Sequence, residues 1–147
     1  MVNSKTLQKY SIFGGLLEEQ IESILPLMGQ ESYGADTEII TEGKPNDKIY
    51  FLMEGEAAVI KGGAVIFRVV EGEIFGEMEV LDIMPSAATV KTLSPVTVMS
   101  ISNKNLREIY RMDIKIFSLI VMNLARDISR RLRRMDEKFT VNQRNVT

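Results

Sequence analysis

The sequence predicts a mainly β domain, a barrel or a sandwich, with helices flanking it at both ends. Apolar residues recur at helical spacing before residue 29, short β-rich runs fill 29–102, and the helical period returns over 103–139. At 147 residues, one domain spanning 1–147 with one sizeable core is the simplest organisation. The helical part is therefore expected at 1–28, and residues 140–147 are expected to be a frayed tail without a core signal.

The N-terminal helix is predicted from the stretch GLLEEQIESILPLM, residues 15–28. Its apolar residues follow helical spacing and its outer face is acidic. Because proline cannot continue a helix, Pro26 is expected to end it at about Leu25. The apolar positions are Leu17, Ile21, Ile24, Leu25 and Met28.

The central β region contains many short strand-like runs separated by turn residues. Examples are DKIYFLMEGEAAVIK and AVIFRVVEG, which are joined by Gly62-Gly63. Two glycines between strand-like runs predict a two-residue hairpin. Short strands punctuated by Gly and Pro are typical of barrels and sandwiches.

The C-terminal part is predicted to hold a short helix, LREIYRM, capped by Ser102 or Asn105, and a long helix from about Ile114 to Phe139. Apolar residues of the long helix recur at steps of three or four, which is typical of a coiled-coil stripe. This stripe predicts a two-fold dimer seam. The stripe residues are Phe117, Val121, Leu124, Ile128, Leu132, Met135 and Phe139.

Charge is distributed unevenly along the chain. Residues 114–147 carry eight Lys/Arg and three Asp/Glu, a net +5, which leaves −7 for residues 1–113. The basic segment has two interpretations: a nucleic-acid surface, or the solvated flank of a dimer helix with interleaved acidic partners. We favour the flank. The basic residues are Arg126, Arg130, Arg131, Arg133, Arg134 and Lys138.

Composition disfavours several functions. The chain has no histidine, the commonest general base and metal ligand, so we expect neither an enzyme nor a metal site. It has no cysteine and no apolar signal region, which fits a cytoplasmic protein. No run of 18 apolar residues is present, so no membrane span is expected.

Residues 75–90, FGEMEVLDIMPSAATV, carry the functional signal together with EGKPNDKIYFLMEGEAAV (42–59) and the long terminal helix. In this order they resemble the cyclic nucleotide-binding domain family of cAMP-dependent kinases, cyclic nucleotide-gated channels and catabolite-activator-like regulators. The resemblance covers about residues 8–139 and implies a jelly-roll-like double-stranded β-helix. Turn glycines match at Gly43, Gly55, Gly72 and Gly76.

The resemblance assigns residues 75–90 as a phosphate-binding cassette for cAMP or cGMP. Backbone N–H groups at its short helix would face the cyclic phosphate. Gly76 would allow close approach of the backbone, and Glu77 would accept from the ribose 2′-OH. The resemblance implies these ligand-site residues: Phe75, Gly76, Glu77, Met78, Glu79, Pro85, Ser86, Ala87, Ala88 and Thr89. Residues near Arg134, Met135 and Asp136 would lie near the purine.

Two residues depart from the family pattern. Ser86 stands where an arginine normally follows the proline, and Glu79 stands where a tiny residue is usual. Residues 69–90 also hold five acidic residues and no base, so an anion would meet an unfavourable field. We therefore expect weak cyclic nucleotide binding, which Lys91 could assist only if its side chain points inward.

The sequence leaves several alternatives open. Glu77 could simply favour the start of a helix, where carboxylates are stabilised. The domain could be a protein-interaction or dimerisation module that has lost the ligand, or it could take a less anionic ligand. Only eight residues follow Phe139, so no DNA-binding module is expected in this chain. The chain would act as a sensor subunit or as part of a larger regulator.

Overall fold

The computed structural model describes residues 2–146. Two four-stranded antiparallel sheets form the β part, with strand orders β1-β8-β3-β6 and β2-β7-β4-β5. The strands are β1 (Gly29–Tyr33), β2 (Glu38–Ile40), β3 (Lys48–Glu54), β4 (Ala57–Lys61), β5 (Ala64–Val69), β6 (Ile74–Phe75), β7 (Thr89–Thr92) and β8 (Val96–Ser102). This is the jelly-roll-like β fold with flanking helices that the sequence predicts.

Within residues 2–146, five α-helices flank the strands. They are α1 (Ser4–Leu7), α2 (Glu18–Ile24), α3 (Glu77–Asp82), α4 (Asn103–Met112) and α5 (Ile114–Val146). Helix α2 gives way to a 3₁₀ turn, Leu25–Leu27, at the place where Pro26 was expected to end it. Ser102 rather than Asn105 caps α4, because its side chain accepts from the Asn105 N–H.

The predicted hairpin at Gly62-Gly63 joins β4 to β5. Both glycines have positive φ, 58° and 81°, as a type I′ turn requires. Glycine adopts this conformation without the steric cost that a Cβ would add. The turn sets β5 beside the distal half of α5, where the centroid of the Phe67 ring lies 4.7 Å from Arg131 Cζ.

The hydrophobic core is divided by the first sheet. Between the sheets lie Leu52 and Val98 with Val59 and Val69 from the second sheet. On the other face of the first sheet, side chains such as Phe51 pack under α1, α2, α4 and α5. Strand β3 is therefore buried on both faces, which explains its nearly continuous apolar sequence.

Helix α5 differs from the expectation in length and in the face that it buries. It continues to Val146 instead of ending at Phe139 with a frayed tail, since neither Gly nor Pro follows to stop it. The residues that it buries in the core are Ile116, Ile120 and Leu124. Within residues 2–146 no helix is long and apolar enough to cross a membrane.

The predicted dimer stripe on α5 divides into two parts. Leu124 is 1% exposed and belongs to the intramolecular core, so it is unavailable to a partner chain. Phe117, Val121 and Ile128 are partly buried. The later stripe residues Leu132, Met135 and Phe139 are 57%, 44% and 64% exposed. The most exposed part of the predicted stripe is thus its distal part.

Candidate functional site

Gly76, the second residue of the cassette, links β6 to α3. Gly76 has φ 79°, and a Cβ added there would lie 2.7 Å from the Lys48 carbonyl oxygen. No other residue fits without a shift of the backbone, so the close approach expected of this glycine is made to strand β3. Asn46 reinforces the contact, because its Nδ2 donates to the carbonyl oxygens of Lys48 and Gly76. The start of α3 is therefore fixed against the β-roll.

Glu77, the first residue of α3, is 4% exposed. Its Oε1 accepts from Arg131 Nη1 of α5 at 2.9 Å. Burial raises the pKa of Glu77, and the Arg131 charge opposes this rise only in part. Its carboxylate is thus engaged by a side chain that the sequence resemblance did not assign to the site.

Glu79 is 9% exposed and forms no ion pair with any described residue. Burial, followed by the nearby charges of Glu77 and Asp82, raises the pKa of the Glu79 carboxyl. Of the acidic residues in this segment, Glu77 and Glu79 are therefore buried, whereas Glu71 and Asp82 are exposed. Met78, between the two glutamates, is 52% exposed and faces away from this interior.

Ser86 takes the position at which the resemblance implies an arginine, and it is 3% exposed. Its N–H donates to the Lys44 carbonyl at 2.9 Å, and its carbonyl accepts from the Gly43 N–H at 2.8 Å. Its hydroxyl has no hydrogen-bond partner among the described residues. A buried hydroxyl without a partner carries a desolvation cost, and it supplies no positive charge for a phosphate.

The remaining predicted residues surround Ser86 in sequence. Phe75 is buried and stacks on Tyr50, with ring centroids 5.0 Å apart. Pro85 is exposed, and Ala87 and Ala88 are half-buried. Thr89 Oγ1 accepts from the Glu42 N–H at 3.0 Å, so this end of the cassette is tied to the turn before β3.

The side chain of Lys91 is paired outside residues 75–90. Its Nζ lies 3.0 Å from Asp36 Oδ1, in an ion pair outside residues 75–90. The basic side chain that does reach the cassette is Arg131, from a different element. Sequence spacing offered one signal for it: Arg131 follows Leu124 by seven residues and Ile120 by eleven, so all three share one face of a helix.

Arg131 combines three contacts. Besides Glu77, it donates through Nη2 to the Ile74 carbonyl at 2.6 Å, and its Cζ lies 4.7 Å from the Phe67 ring centroid. Of the residues expected near a purine, Arg134 lies 3.5 Å from Glu73 Oε1 and Asp136 is exposed. Arg134 and Met135 line a cavity of about 150 Å³ together with Phe67 and Arg131.

Comparison with known proteins assigns the family. The sequence pattern described as "Cyclic nucleotide-binding domain" matches residues 30–113. A cAMP-dependent protein kinase regulatory subunit from Yarrowia lipolytica is 30% identical over 105 residues, which are 71% of this chain and 28% of that protein. The chain belongs to the cyclic nucleotide-binding domain family. It spans less than a third of the length of the curated relatives that it matches.

Solved structures agree on the fold. A cyclic nucleotide-binding domain from Methylobacillus flagellatus has a TM-score of 0.86 at 24% identity, covering 94% of this chain and 80% of that one. The regulatory subunit of a cAMP-independent protein kinase A from Trypanosoma brucei has a TM-score of 0.63 at 26% identity. That match covers 71% of this chain and 39% of that one.

Proposed function

We propose that this chain is a regulatory, non-catalytic domain whose cassette binds cAMP or cGMP only weakly, with a dissociation constant well above micromolar. The observation that carries the proposal is Ser86, a buried hydroxyl at the position where the family resemblance implies an arginine. The glycine turn and the short helix of the cassette are present, so the backbone part of an anion site remains.

The expected loss of nucleotide affinity follows from the missing contact between an arginine and the phosphate. A charge-assisted hydrogen bond contributes about 1.5–3 kcal/mol, which corresponds to about 10- to 150-fold in affinity. Glu79 adds to the loss, because a buried carboxylate repels an anionic ligand once it is ionised. Arg131 does not offset it, since its guanidinium is already paired with Glu77.

Calorimetric titration of the purified protein with cAMP and cGMP tests this proposal. We expect little or no heat at micromolar ligand and, at most, binding that saturates far above it. Titration at high and low salt adds a control. Because few charged side chains would contact the phosphate, the dissociation constant should change little with salt concentration. Tight binding of either nucleotide would refute the proposal and would require another cation in the cassette.

A second candidate is a dimerisation or protein-interaction module that keeps the fold without the ligand. The observation that favours it is the exposed apolar stripe Leu132, Met135 and Phe139 on α5. Such a stripe on a helix of 33 residues is an association hazard unless a partner covers it. We propose a second copy of the chain as the partner, with the arginines flanking the seam. One similar structure comes from a kinase described as cAMP-independent, which is compatible with this candidate.

Sedimentation velocity at micromolar concentration distinguishes a monomer from a dimer. A dimer is expected for the unmodified chain, and Leu132→Glu with Phe139→Glu should shift it to monomer without unfolding the β-roll. Both side chains are largely exposed, at 57% and 64%, so the double variant is a fair test of assembly. If the unmodified chain is monomeric, the dimer proposal is refuted.

A further inference from the structure

A larger cavity lies outside the cassette, where the distal half of α5 passes the N-terminal part of the chain. Its volume is about 430 Å³, within the range of about 300–1,000 Å³ that is usual for small-molecule sites. Ser11 and Gly72 line it together with α5, and no residue of 75–90 is among its described lining residues. A ligand in this cavity would therefore not occupy the cassette.

The backbone walls of this cavity are held by buried contacts. Asn123 of α5 is 4% exposed, and its Nδ2 donates to the carbonyl oxygens of Ile12 and Gly14. These bonds fix the 3₁₀ turn Ser11–Phe13 against the helix. In the turn between β5 and β6, Gly72 has φ 88°, and its N–H donates to a carbonyl of β3 at 2.7 Å. The cavity is thus formed before any ligand binds.

The lining of the cavity is rich in arginine, and we call it the arginine cavity. Two acidic side chains, Glu73 and Asp127, also line it, and Glu77 pairs with one of the arginines from the cassette. Three acids therefore face four arginines, which leaves one positive charge in excess. An anion in the cavity would compensate this charge. The arginines are Arg130, Arg131, Arg133 and Arg134.

Arg133 is the arginine of this set that forms no ion pair with any described residue. Arg130 and Arg134 do form pairs, but their side chains are 59% and 62% exposed. Because exposed pairs contribute little, both guanidiniums can turn to a ligand at small cost. The three residues are three or four positions apart, so they lie on one face of the helix. One anion can therefore be contacted by several guanidiniums at once.

This concentration of positive charge is unfavourable for the helix by itself. Like charges three or four positions apart on a helix destabilise it. The two acids that line the cavity offset the repulsion only in part, since their carboxylates have other partners as well. Asp127 Oδ2 accepts from Ser11 Oγ at 2.8 Å, and Glu73 Oε2 accepts from the Val70 N–H at 3.1 Å. A bound anion would relieve the remaining repulsion.

The chemical class of the ligand follows from the guanidinium groups. Their planar forks of donors match the oxygens of phosphate and carboxylate groups. A phosphate monoester carries about −1.5 to −2 charges at neutral pH, more than a single carboxylate, and so suits a cluster of cations better. At about 30 Å³ per water molecule, the cavity corresponds to roughly 14 waters, which leaves room for an organic group beside the phosphate.

We propose that the arginine cavity binds a small anion that carries a phosphate group. Arg133 is its main charged contact, and Arg130 and Arg134 turn from their exposed pairs to share the phosphate oxygens. The site is separate from the cassette, so it does not depend on whether the cassette binds a cyclic nucleotide.

Calorimetric titration of the whole chain with sodium pyrophosphate tests the proposal. We expect saturable binding at about millimolar concentration or below, the affinity that two or three charge-assisted contacts give. Arg133→Ala should weaken it by about 10- to 150-fold, the factor of one such contact. Absence of saturable binding by the unmodified chain would overturn the proposal.

Arg107→Ala is the matched control for Arg133→Ala. Arg107 lies on α4, is exposed, forms no ion pair with any described residue and does not line the arginine cavity. The control variant should bind pyrophosphate as the unmodified chain does. If both substitutions weaken binding equally, the effect is one of net charge and the site is refuted. If Arg133→Ala has no effect, pyrophosphate binds elsewhere, which also refutes it.

Chemical modification provides a measurement on the unmodified chain, so it does not depend on the folding of any variant. Phenylglyoxal reacts with accessible guanidinium groups, and mass spectrometry locates the modified residues. Pyrophosphate should slow the modification of Arg133 and leave that of Arg107 unchanged. Equal rates at Arg133 with and without pyrophosphate would contradict the proposal.

Two further titrations test the class of ligand. Citrate, whose charges are carried by carboxylates, should bind more weakly than pyrophosphate, and tighter binding of citrate would refute the assignment to phosphate. A short single-stranded oligonucleotide should bind no more tightly than pyrophosphate. Binding of the oligonucleotide without binding of pyrophosphate would assign the basic face of α5 to nucleic acid and overturn the proposal of a small-anion site.

Discussion

Leu124 and Leu132 lie on the same helix, eight residues apart, and truncation of the two side chains should differ strongly in its cost to stability. Leu124 is 1% exposed in the core under the first sheet, whereas Leu132 is 57% exposed. Leu124→Ala removes buried methyl groups and leaves a cavity, at a cost of about 2–5 kcal/mol in the free energy of unfolding. With about 2–4 °C per kcal/mol for a chain of this size, the melting temperature should fall by about 4–20 °C. Leu132→Ala should cost less than about 0.5 kcal/mol in the monomer.

The assay is urea or thermal unfolding followed by circular dichroism at two protein concentrations. If two copies associate through the distal helix, the midpoint of the unmodified chain rises with concentration. Leu132→Ala should weaken that dependence, and Leu124→Ala should retain it while lowering both midpoints. The reasoning is refuted if Leu132→Ala destabilises the dilute protein as much as Leu124→Ala does, because Leu132 would then belong to the intramolecular core.

Two further predictions concern the cassette. Glu79→Gln should stabilise the protein at neutral pH and flatten the pH dependence of its free energy of unfolding. Burial raises the pKa of the Glu79 carboxyl above its ordinary 4.5. The contribution of Glu79 to stability is therefore most favourable below pH 4.5, and it declines as the pH rises through the raised pKa. Urea unfolding from acidic to neutral pH measures this, and an unchanged slope would contradict it. Gly76→Ala should destabilise more than Gly62→Ala, since both positions have positive φ but only Gly76 places a Cβ against backbone, 2.7 Å from the Lys48 oxygen. Thermal unfolding compares the two variants, and equal losses would show that the close approach is relaxed.

Much of the fold is predictable because its signals are local. The Gly62-Gly63 turn, Pro26 at the end of α2 and the Ser102 cap each depend on a few neighbouring residues. The extent of α5 was underestimated, since the polar residues after Phe139 carry no apolar pattern yet continue a helix already formed.

The buried face of α5 was beyond sequence reasoning. Two apolar sets follow helical spacing, one containing Phe117 and Val121 and one containing Ile116 and Ile120. Periodicity cannot choose between adjacent faces of one helix, because the choice depends on how the helix crosses the β-roll. The cassette glycine and Glu77 were assigned to the cassette from their motif alone, and their roles toward a ligand stay predictions. Arg131 was not, because its partner lies 54 residues away in sequence and only the fold brings them together.

The central claim, that the cassette keeps its backbone but lacks its cation, is tested most directly by titrating the unmodified chain and Ser86→Arg with cAMP side by side. Ser86 is held by backbone bonds to Gly43 and Lys44, so the substitution places a guanidinium on a fixed backbone position. The account predicts an affinity gain of about 10- to 150-fold for Ser86→Arg. No gain, with the variant folded, would contradict it and would assign the obstacle to Glu79 or to a closed cassette.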